Sequence, residues 1–264
     1  MTKGKLIKLN KVIGFFYSSE VDESVAVINL AGAPGFGDSG NSKTAQVCNS
    51  FGVSYLSPDY IGMCRSGGEF NFKSSVETIY ECVDFLTGKF LGTDIKTGKK
   101  LAKQKFNEII LLGSSFGGSV APFVEKFKKI EIKKIILVAP VTDWIAQNNK
   151  GMEEPINEFL NVMSIGMKNV WRGFSNSEWP EIIKGNIKEM NPIDNTNLLA
   201  DKEVFILHGN KDKSISWKDS EKFFEKIKNE GLVKNVFFEK LKNFGHSGSA
   251  VSEGVKRALR KIRV

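Results

Sequence analysis

Cysteine and histidine are both scarce in this sequence of 264 residues, which contains three cysteines and two histidines. Cys48, Cys64 and Cys82 are widely spaced and form no Cys-x-x-Cys pair. We therefore expect neither a disulfide framework nor a zinc knuckle. His208 and His246 are too few for a histidine-based metal centre, so no metal site is predicted.

Long apolar runs are also missing. No run approaches the roughly 20 residues that a membrane-spanning helix needs. The run Val12–Tyr17 near the start is shorter than a typical secretion-signal core and has no small-residue cleavage site after it. We interpret it as an early strand and expect a cytoplasmic protein without a membrane partner.

The charge is unbalanced but dispersed. The chain has 38 basic and 30 acidic residues, which gives a formal net charge of +8. A basic excess can indicate a nucleic-acid partner. Here lysine and glutamate alternate along most of the chain, so we expect a lysine-rich solvated surface and no nucleic-acid partner.

Short β-branched runs alternate with stretches of helical period, which predicts an α/β fold with a mostly parallel central sheet. The length fits a single domain over residues 1–264. The predicted strands are Leu6–Leu9, Ile13–Tyr17, Val25–Leu30, Val53–Ser57, Glu108–Leu112, Lys134–Ala139, Val204–Leu207 and Val236–Glu239. Helices are predicted at Lys43–Ser50, after a capping box at Ser74–Glu77, and at Gly117–Lys129, Trp217–Asn229 and Val251–Ile262, with a surface excursion at Gly88–Lys105.

The alternation stops between Trp144 and Asp201, a stretch without strand signal that is too long for a plain connection. We predict a helical insertion over residues 145–200. It is either a set of ordinary packing helices or a lid with an adaptable apolar surface over a substrate site. The stretch is rich in large apolar side chains: Trp144, Trp171, Trp179, Met152, Met163, Met167 and Met190.

Gly113–Gly117 reads Gly-Ser-Ser-Phe-Gly, a G-x-S-x-G motif between a predicted strand and a predicted helix. This is the setting of a nucleophile elbow, in which a sharp turn exposes the central hydroxyl, here that of Ser115. The spacing makes Ser114 the variable position.

A serine nucleophile needs a base, and the base needs an orienting acid. In sheets with such an elbow the acid and then the histidine follow the serine along the chain. His246, in a glycine-flanked loop before the final helix, is the predicted base. Asp212 is the favoured acid and Asp143 the alternative, whereas His208 precedes the favoured acid and is predicted to be structural.

The oxyanion of an acyl-transfer intermediate needs two backbone N–H donors. One is predicted at Phe116, directly after the nucleophile. The other comes from the loop after Val25–Leu30, where Pro34 has no N–H, so Ala33 is favoured and Gly35 is the alternative.

These pieces together resemble the α/β-hydrolase superfamily from about Val25 onwards. Asp59–Gly68 is similar to the serine aminopeptidase and monoacylglycerol-lipase-like branch, and His208–Asp212 to prolyl-oligopeptidase-like catalytic domains and dienelactone-hydrolase relatives. Ala31 departs from the pattern, because many relatives have histidine there.

The resemblance implies a serine hydrolase, without a cofactor, that acts on a small ester or peptide as a monomer or homodimer. The favoured hypothesis is a carboxylesterase. The alternatives are a small peptidase or amidase and a non-catalytic scaffold that binds an acyl ligand or a protein.

Overall fold

The structure is a computed structural model that describes residues 3–20, 24–150 and 155–262. Its main element in these ranges is one sheet of nine strands, in the order β5-β1-β2-β4-β3-β6-β7-β8-β9. The strands are β1 Lys5–Lys8, β2 Ile13–Tyr17, β3 Val25–Leu30, β4 Ser54–Pro58, β5 Thr93–Asp94, β6 Glu108–Ser114, β7 Lys134–Val138, β8 Glu203–Gly209 and β9 Asn235–Leu241.

The six strands from β4 to β9 in this order are parallel, and β1, β2 and β5 pair antiparallel at one edge. The parallel strands β4, β3, β6, β7 and β8 are largely buried, as their apolar runs predict, whereas the edge strand β9 is partly exposed. In β3, for example, Ala26, Ile28 and Leu30 pack into one hydrophobic cluster and Val27 into the other. The predicted α/β fold with a mostly parallel central sheet is confirmed.

The α-helices lie on both faces of this sheet. They are α1 Lys43–Ser50, α2 Phe72–Leu86, α3 Gly117–Val120, α4 Trp144–Lys150, α5 Ile156–Asn161, α6 Trp179–Ile183, α7 Trp217–Glu230 and α8 Gly248–Ile262. Shorter helical turns follow α3 at Ala121–Phe123 and lie between β7 and β8 at Val162–Gly166, Phe174–Asn176, Lys188–Met190, Pro192–Asp194 and Thr196–Leu199. None of the helices in the described ranges is both long and apolar enough to cross a bilayer.

Two local predictions were wrong. The helix α3 ends at Val120 instead of continuing to Lys129, because Pro122 cannot donate a helical hydrogen bond. Helix α2 begins before Ser74, and its capping box joins Asn71 to Ser74 through bonds of 2.7 and 2.8 Å. The predicted surface excursion at 88–105 also contributes the short edge strand β5, which pairs with β1.

The segment between β7 and β8 is built from short helices in its described part. Met152 lies outside the described residues. The structure connects this segment to the rest of the fold through an isolated bridge between Met63 and Trp171. The segment therefore reaches across to the loop after β4, above the carboxyl ends of the central strands.

Candidate active site

Ser115 occupies a strained turn between β6 and α3. Its φ of 51° lies in the left-handed region, which costs a residue with a side chain about 1–3 kcal/mol. Backbone hydrogen bonds hold the turn. The Ser115 N–H donates to the carbonyl oxygens of Val138 and Ala139 at 3.2 and 3.1 Å, and the Val141 N–H donates to the Ser115 carbonyl oxygen at 3.0 Å. The loop after β7 thus holds the elbow in the conformation that exposes the hydroxyl.

The two outer glycines of the motif are required by close backbone packing. A Cβ on Gly117 would collide with the carbonyl oxygen of Leu30 at the end of β3. A Cβ on Gly113 would lie 2.6 Å from the Gly117 oxygen, closer than real Cβ contacts. The motif therefore has glycine where the elbow contacts itself and the neighbouring strand.

Ser115, His246 and Asp212 lie together as a hydrogen-bonded series. His246 Nε2 is 3.0 Å from Ser115 Oγ, and His246 Nδ1 is 2.8 Å from Asp212 Oδ2. Asp212 is in the loop after β8, and His246 is in the loop between β9 and α8. Since the carboxyl ends of parallel strands meet at one edge of the sheet, residues far apart in sequence converge here.

The alternative acid, Asp143, has a different set of partners. Its Oδ1 accepts from the N–H groups of Ile145 and Ala146 at 3.1 and 3.2 Å and from Asn191 Nδ2 at 3.2 Å. It therefore caps the start of α4. Within the described chain, His246 contacts Asp212 and not Asp143.

The Asp212 carboxylate is fully buried and accepts four hydrogen bonds. Oδ1 accepts from the N–H groups of Ser214 and Ile215, both at 2.9 Å, and Oδ2 faces His246 and His208. Burial alone raises the pKa of this carboxyl, but hydrogen bonds from His208 and His246 oppose it. The net pKa lies well below the ordinary range, so the carboxylate remains charged.

His208 contacts this carboxylate directly, whereas the sequence predicted a structural histidine that packs or hydrogen-bonds near the site without naming its partner. Its Nε2 lies 3.2 Å from Asp212 Oδ2 and 3.1 Å from the Ile215 carbonyl oxygen, and its Nδ1 lies 2.8 Å from Ser220 Oγ. A carbonyl oxygen only accepts, so Nε2 carries the proton and Nδ1 accepts from Ser220. The spacing of four residues between His208 and Asp212 was the available sequence signal.

An apolar cavity of about 210 Å³ opens beside Ser115 and His246. It is smaller than the roughly 300–1,000 Å³ of typical small-molecule sites. Its apolar walls are Phe116, Val141, Trp144, Phe159 and Ile215, with Ala33 and Pro34 from the loop after β3. A larger cavity of about 590 Å³ lies next to Ile132 and Lys202, near the amino ends of β7 and β8, and contains none of the three hydrogen-bonded residues.

Comparison with known families identifies the chain. The profile of the prolyl oligopeptidase family matches residues 36–263. The chain belongs to the prolyl oligopeptidase family. This family places it among the serine hydrolases of the α/β-hydrolase superfamily, which confirms the resemblance drawn from the motifs.

Solved structures share the fold of this prolyl oligopeptidase family member at low sequence identity. DcsB, in complex with its substrate analogue, superposes with a TM-score of 0.68 at 15% identity, covering 100% of this chain and 99% of DcsB. A Pyrococcus furiosus esterase gives a TM-score of 0.65 at 18% identity, with coverages of 97% and 90%. A Pyrococcus horikoshii acylaminoacyl peptidase gives 0.66 at 14%, covering 99% of this chain but 40% of the peptidase. No curated protein matches the chain significantly.

The predicted oxyanion donors lie at the cavity. Ala33 and Phe116 line it together with Ser115. Within the described chain, no hydrogen bond from either backbone N–H to a protein acceptor is found. Gly35, the alternative donor, does not line the cavity, and its carbonyl oxygen accepts from Trp171 Nε1 at 3.0 Å. Ala33 is therefore the better placed of the two for this family member.

The large side chains of the helical segment divide into two groups. Trp144 and Phe159 line the cavity. Trp171 and Trp179 are fully buried behind Phe116, with ring centroids 5.8 and 4.5 Å from it. Among the described methionines of this segment, none lines the cavity: Met163 is buried in the core, and Met167 and Met190 pack against it. For Trp171, Trp179 and these methionines the structure agrees with the alternative of packing helices, whereas Trp144 and Phe159 face the cavity.

Proposed function

We propose that this protein hydrolyses small carboxylic esters through an acyl-enzyme on Ser115. The observation that carries this proposal is the series Ser115–His246–Asp212, with bonds of 3.0 and 2.8 Å, at the mouth of an apolar cavity. Nucleophile, base and orienting acid are all within hydrogen-bond distance, as acyl transfer requires.

The proton path follows from the hydrogen bonds. Asp212 accepts the Nδ1 proton of His246, which leaves the Nε2 lone pair facing the Ser115 hydroxyl. As Ser115 Oγ bonds to the ester carbon, its proton moves to Nε2. When the carbon–oxygen bond to the alcohol breaks, Nε2 returns that proton to the departing oxygen. Water then attacks the acyl-enzyme by the same route and releases the acid.

The negative charge of each tetrahedral intermediate forms on the former carbonyl oxygen. We propose that the N–H groups of Phe116 and Ala33 stabilise it. The lining of the apolar cavity supports this arrangement, because Ala33 and Phe116 line it together with Ser115.

The choice of ester over peptide rests on size and on the neighbouring structures. The cavity of about 210 Å³ suits a short acyl group. Among the solved structures of similar fold, the Pyrococcus furiosus esterase is matched over 90% of its length. A peptidase or amidase activity is the second candidate, favoured by the family to which the chain belongs.

We also propose that residues 145–200 form a cap on a single catalytic domain. Phe159 of α5 lines the cavity from this segment, and Trp144 lines it from the adjoining residue. The buried position of Trp171 and Trp179 behind Phe116 supports a cap that is anchored to the body of the fold at those residues.

A fluorophosphonate probe tests the nucleophile. Labelling of the folded protein at Ser115, located by peptide mass spectrometry, is expected, and unlabelled folded protein would favour a non-catalytic scaffold. Rates on matched butyryl esters and butyryl amides then separate the esterase from the amidase, and faster turnover of the amide would overturn the choice of ester.

Acyl chain length should have a short optimum. Each methylene buried in the cavity contributes about 0.8 kcal/mol, a factor of about four in kcat/KM, until the cavity is full. We expect kcat/KM to rise over the first few carbons of a C2 to C16 ester series and then to fall. Phe159→Ala enlarges the cavity and should move the optimum to longer chains.

The matched control is Ile165→Ala, which removes a side chain that is 66% exposed and does not line the cavity. It should leave the chain-length profile unchanged. A flat profile in the wild type, or an equal shift in both variants, would contradict the assignment of this cavity to the acyl group.

His208 should act as a positioning residue for Asp212. His208→Phe removes a donor to a buried carboxylate, a bond of about 1.5–3 kcal/mol, so kcat should fall about 10- to 150-fold. KM should change little, since His208 does not line the cavity. His208→Gln keeps an N–H close to the position of Nε2 and should recover much of the lost kcat.

Folding of each His208 variant is checked by its unfolding midpoint before the kinetics. If His208→Gln were as impaired as His208→Phe, or if KM rose while kcat held, the bond to Asp212 would not be the reason for the loss.

A further inference from the structure

A second cavity, of about 370 Å³, is lined by residues close in sequence to the proposed catalytic residues. Three chain segments each contribute neighbouring residues to the two cavities. The apolar cavity is lined by Ala33, Ser115 and His246, and the second cavity is lined by the nearby residues Gly32, Ser114 and Gly248. Gly32 is close to the nucleophile, because a Cβ on it would lie 3.5 Å from Ser115 Oγ. The hydroxyl of Ser115 therefore lies near both cavities.

The second cavity differs from the first in its chemistry. Hydroxyl and amide side chains line it, among them Asn29, Asn41, Ser57 and Ser114. Asn29 Nδ2 donates to Ser57 Oγ at 3.3 Å, so these two groups hold each other in place. No lysine or arginine is among the described residues that line it, although the chain has 38 such residues. This lining fits a neutral partner with many hydroxyl groups rather than an anion.

Two further residues of the cavity fit such a partner. Asp38 is its one carboxylate, held by hydrogen bonds from the Tyr17 hydroxyl at 2.9 Å and the Gly40 N–H at 2.7 Å. Phe36 is 72% exposed, more than any other large apolar side chain among the described residues. A carboxylate accepts from hydroxyl groups, and a flat aromatic ring covers the apolar face of a sugar ring.

The reaction itself requires a place for the departing alcohol. Its oxygen must receive the proton from His246 Nε2, so the alcohol must lie beside the loop that carries His246. Gly248, the first residue of the helix after this loop, lines the polar cavity. The short acyl group fits the apolar cavity, which Ser115 and His246 line. The two parts of an ester thus have two cavities of matching polarity.

We propose that the polar cavity is the leaving-group subsite and that it takes a hydroxyl-rich alcohol, a sugar or a similar polyol. This proposal rests on the proposed ester hydrolysis. The bond between the acyl carbon and the sugar oxygen breaks, the oxygen takes the proton that His246 received from Ser115, and the acyl group stays on Ser115 Oγ until water releases it.

The test compares two esters with one acyl group, 6-O-butyryl glucose and ethyl butyrate. In the wild type, kcat/KM for the sugar ester should exceed that for the ethyl ester by about tenfold or more, since several hydrogen bonds of a few-fold each are added. Asn29→Leu and Phe36→Ala should each lower this ratio about 2- to 10-fold. Phe127→Ala, which removes an exposed phenylalanine away from the cavity, should leave the ratio unchanged.

Equal kcat/KM for the two esters in the wild type, or a ratio unaffected by both variants, would overturn the subsite while ester hydrolysis stands. Phe36→Ala carries the test if Asn29→Leu fails to fold, because Phe36 is exposed. Failure of the proposed function gives a different result: no turnover of ethyl butyrate that depends on Ser115, which would overturn both proposals.

Discussion

Ser115→Ala is expected to lower kcat for ester hydrolysis by about 10⁴-fold or more, because nucleophile and base act as a unit. His246→Ala should fall to a similar level, and the double variant should be little worse than either. The free energy of unfolding of Ser115→Ala should change by less than about 1.5 kcal/mol, since one hydrogen bond to a half-exposed histidine is lost. Initial rates with ethyl butyrate and urea unfolding curves measure both quantities.

Ser119→Ala is the matched control for this result. Ser119 lies one helical turn further along α3, and its hydroxyl donates to the Phe116 carbonyl oxygen at 2.7 Å rather than facing His246. Its loss should change kcat by a few-fold at most. Retention of half of the wild-type rate in Ser115→Ala would show that the elbow does not carry the nucleophile.

Asp212→Asn is expected to lower kcat by about 10³- to 10⁴-fold. The amide keeps the shape of the carboxylate, but it cannot stabilise the charge that forms on His246 and it favours the wrong tautomer. Asp143→Asn is the matched control, because Asp143 caps α4 and does not contact His246. We expect it to change kcat by a few-fold at most, and the reverse ranking would move the acid to Asp143.

A comparison of the wild type with Asp212→Asn also tests the charge of Asp212. Its pKa is depressed in the folded protein, so its contribution to stability is present above the unfolded pKa of about 3.9 and is lost as the pH falls through the lower folded value. The difference in unfolding free energy between wild type and Asp212→Asn should therefore shrink below about pH 4. A difference that stays constant down to low pH would contradict the depressed pKa.

The local patterns of the sequence carry much of the fold. All eight predicted strands match an observed strand to within two residues at each end, because apolar β-branched runs between turn residues are a local signal. The strand β9 is longer than predicted by one residue at its start and two at its end. Errors arose where one local feature outweighed another, as when Pro122 ended the helix that an apolar pattern extended to Lys129.

The sequence predicted some contacts of the candidate site and missed others. The motif around Ser115 and the order of Ser115, Asp212 and His246 are one-dimensional features, and the structure brings these three side chains into contact. The bond from His208 to Asp212 was not predicted. A histidine at a strand end has many possible partners, and only the burial of both side chains shows that they meet.

By itself, the sequence determined the superfamily and the elbow, because a strained turn and close backbone contacts demand glycine and serine at fixed spacing. Only the tertiary structure decided which aspartate faces His246, since Asp143 and Asp212 both follow strands of one sheet and differ only in what packs against them. It also decided that Trp144 faces the apolar cavity while Trp171 and Trp179 lie behind Phe116. The two cavities exist because the loops after β3, β6, β7, β8 and β9 meet at one edge of the sheet, a relation that no local pattern encodes.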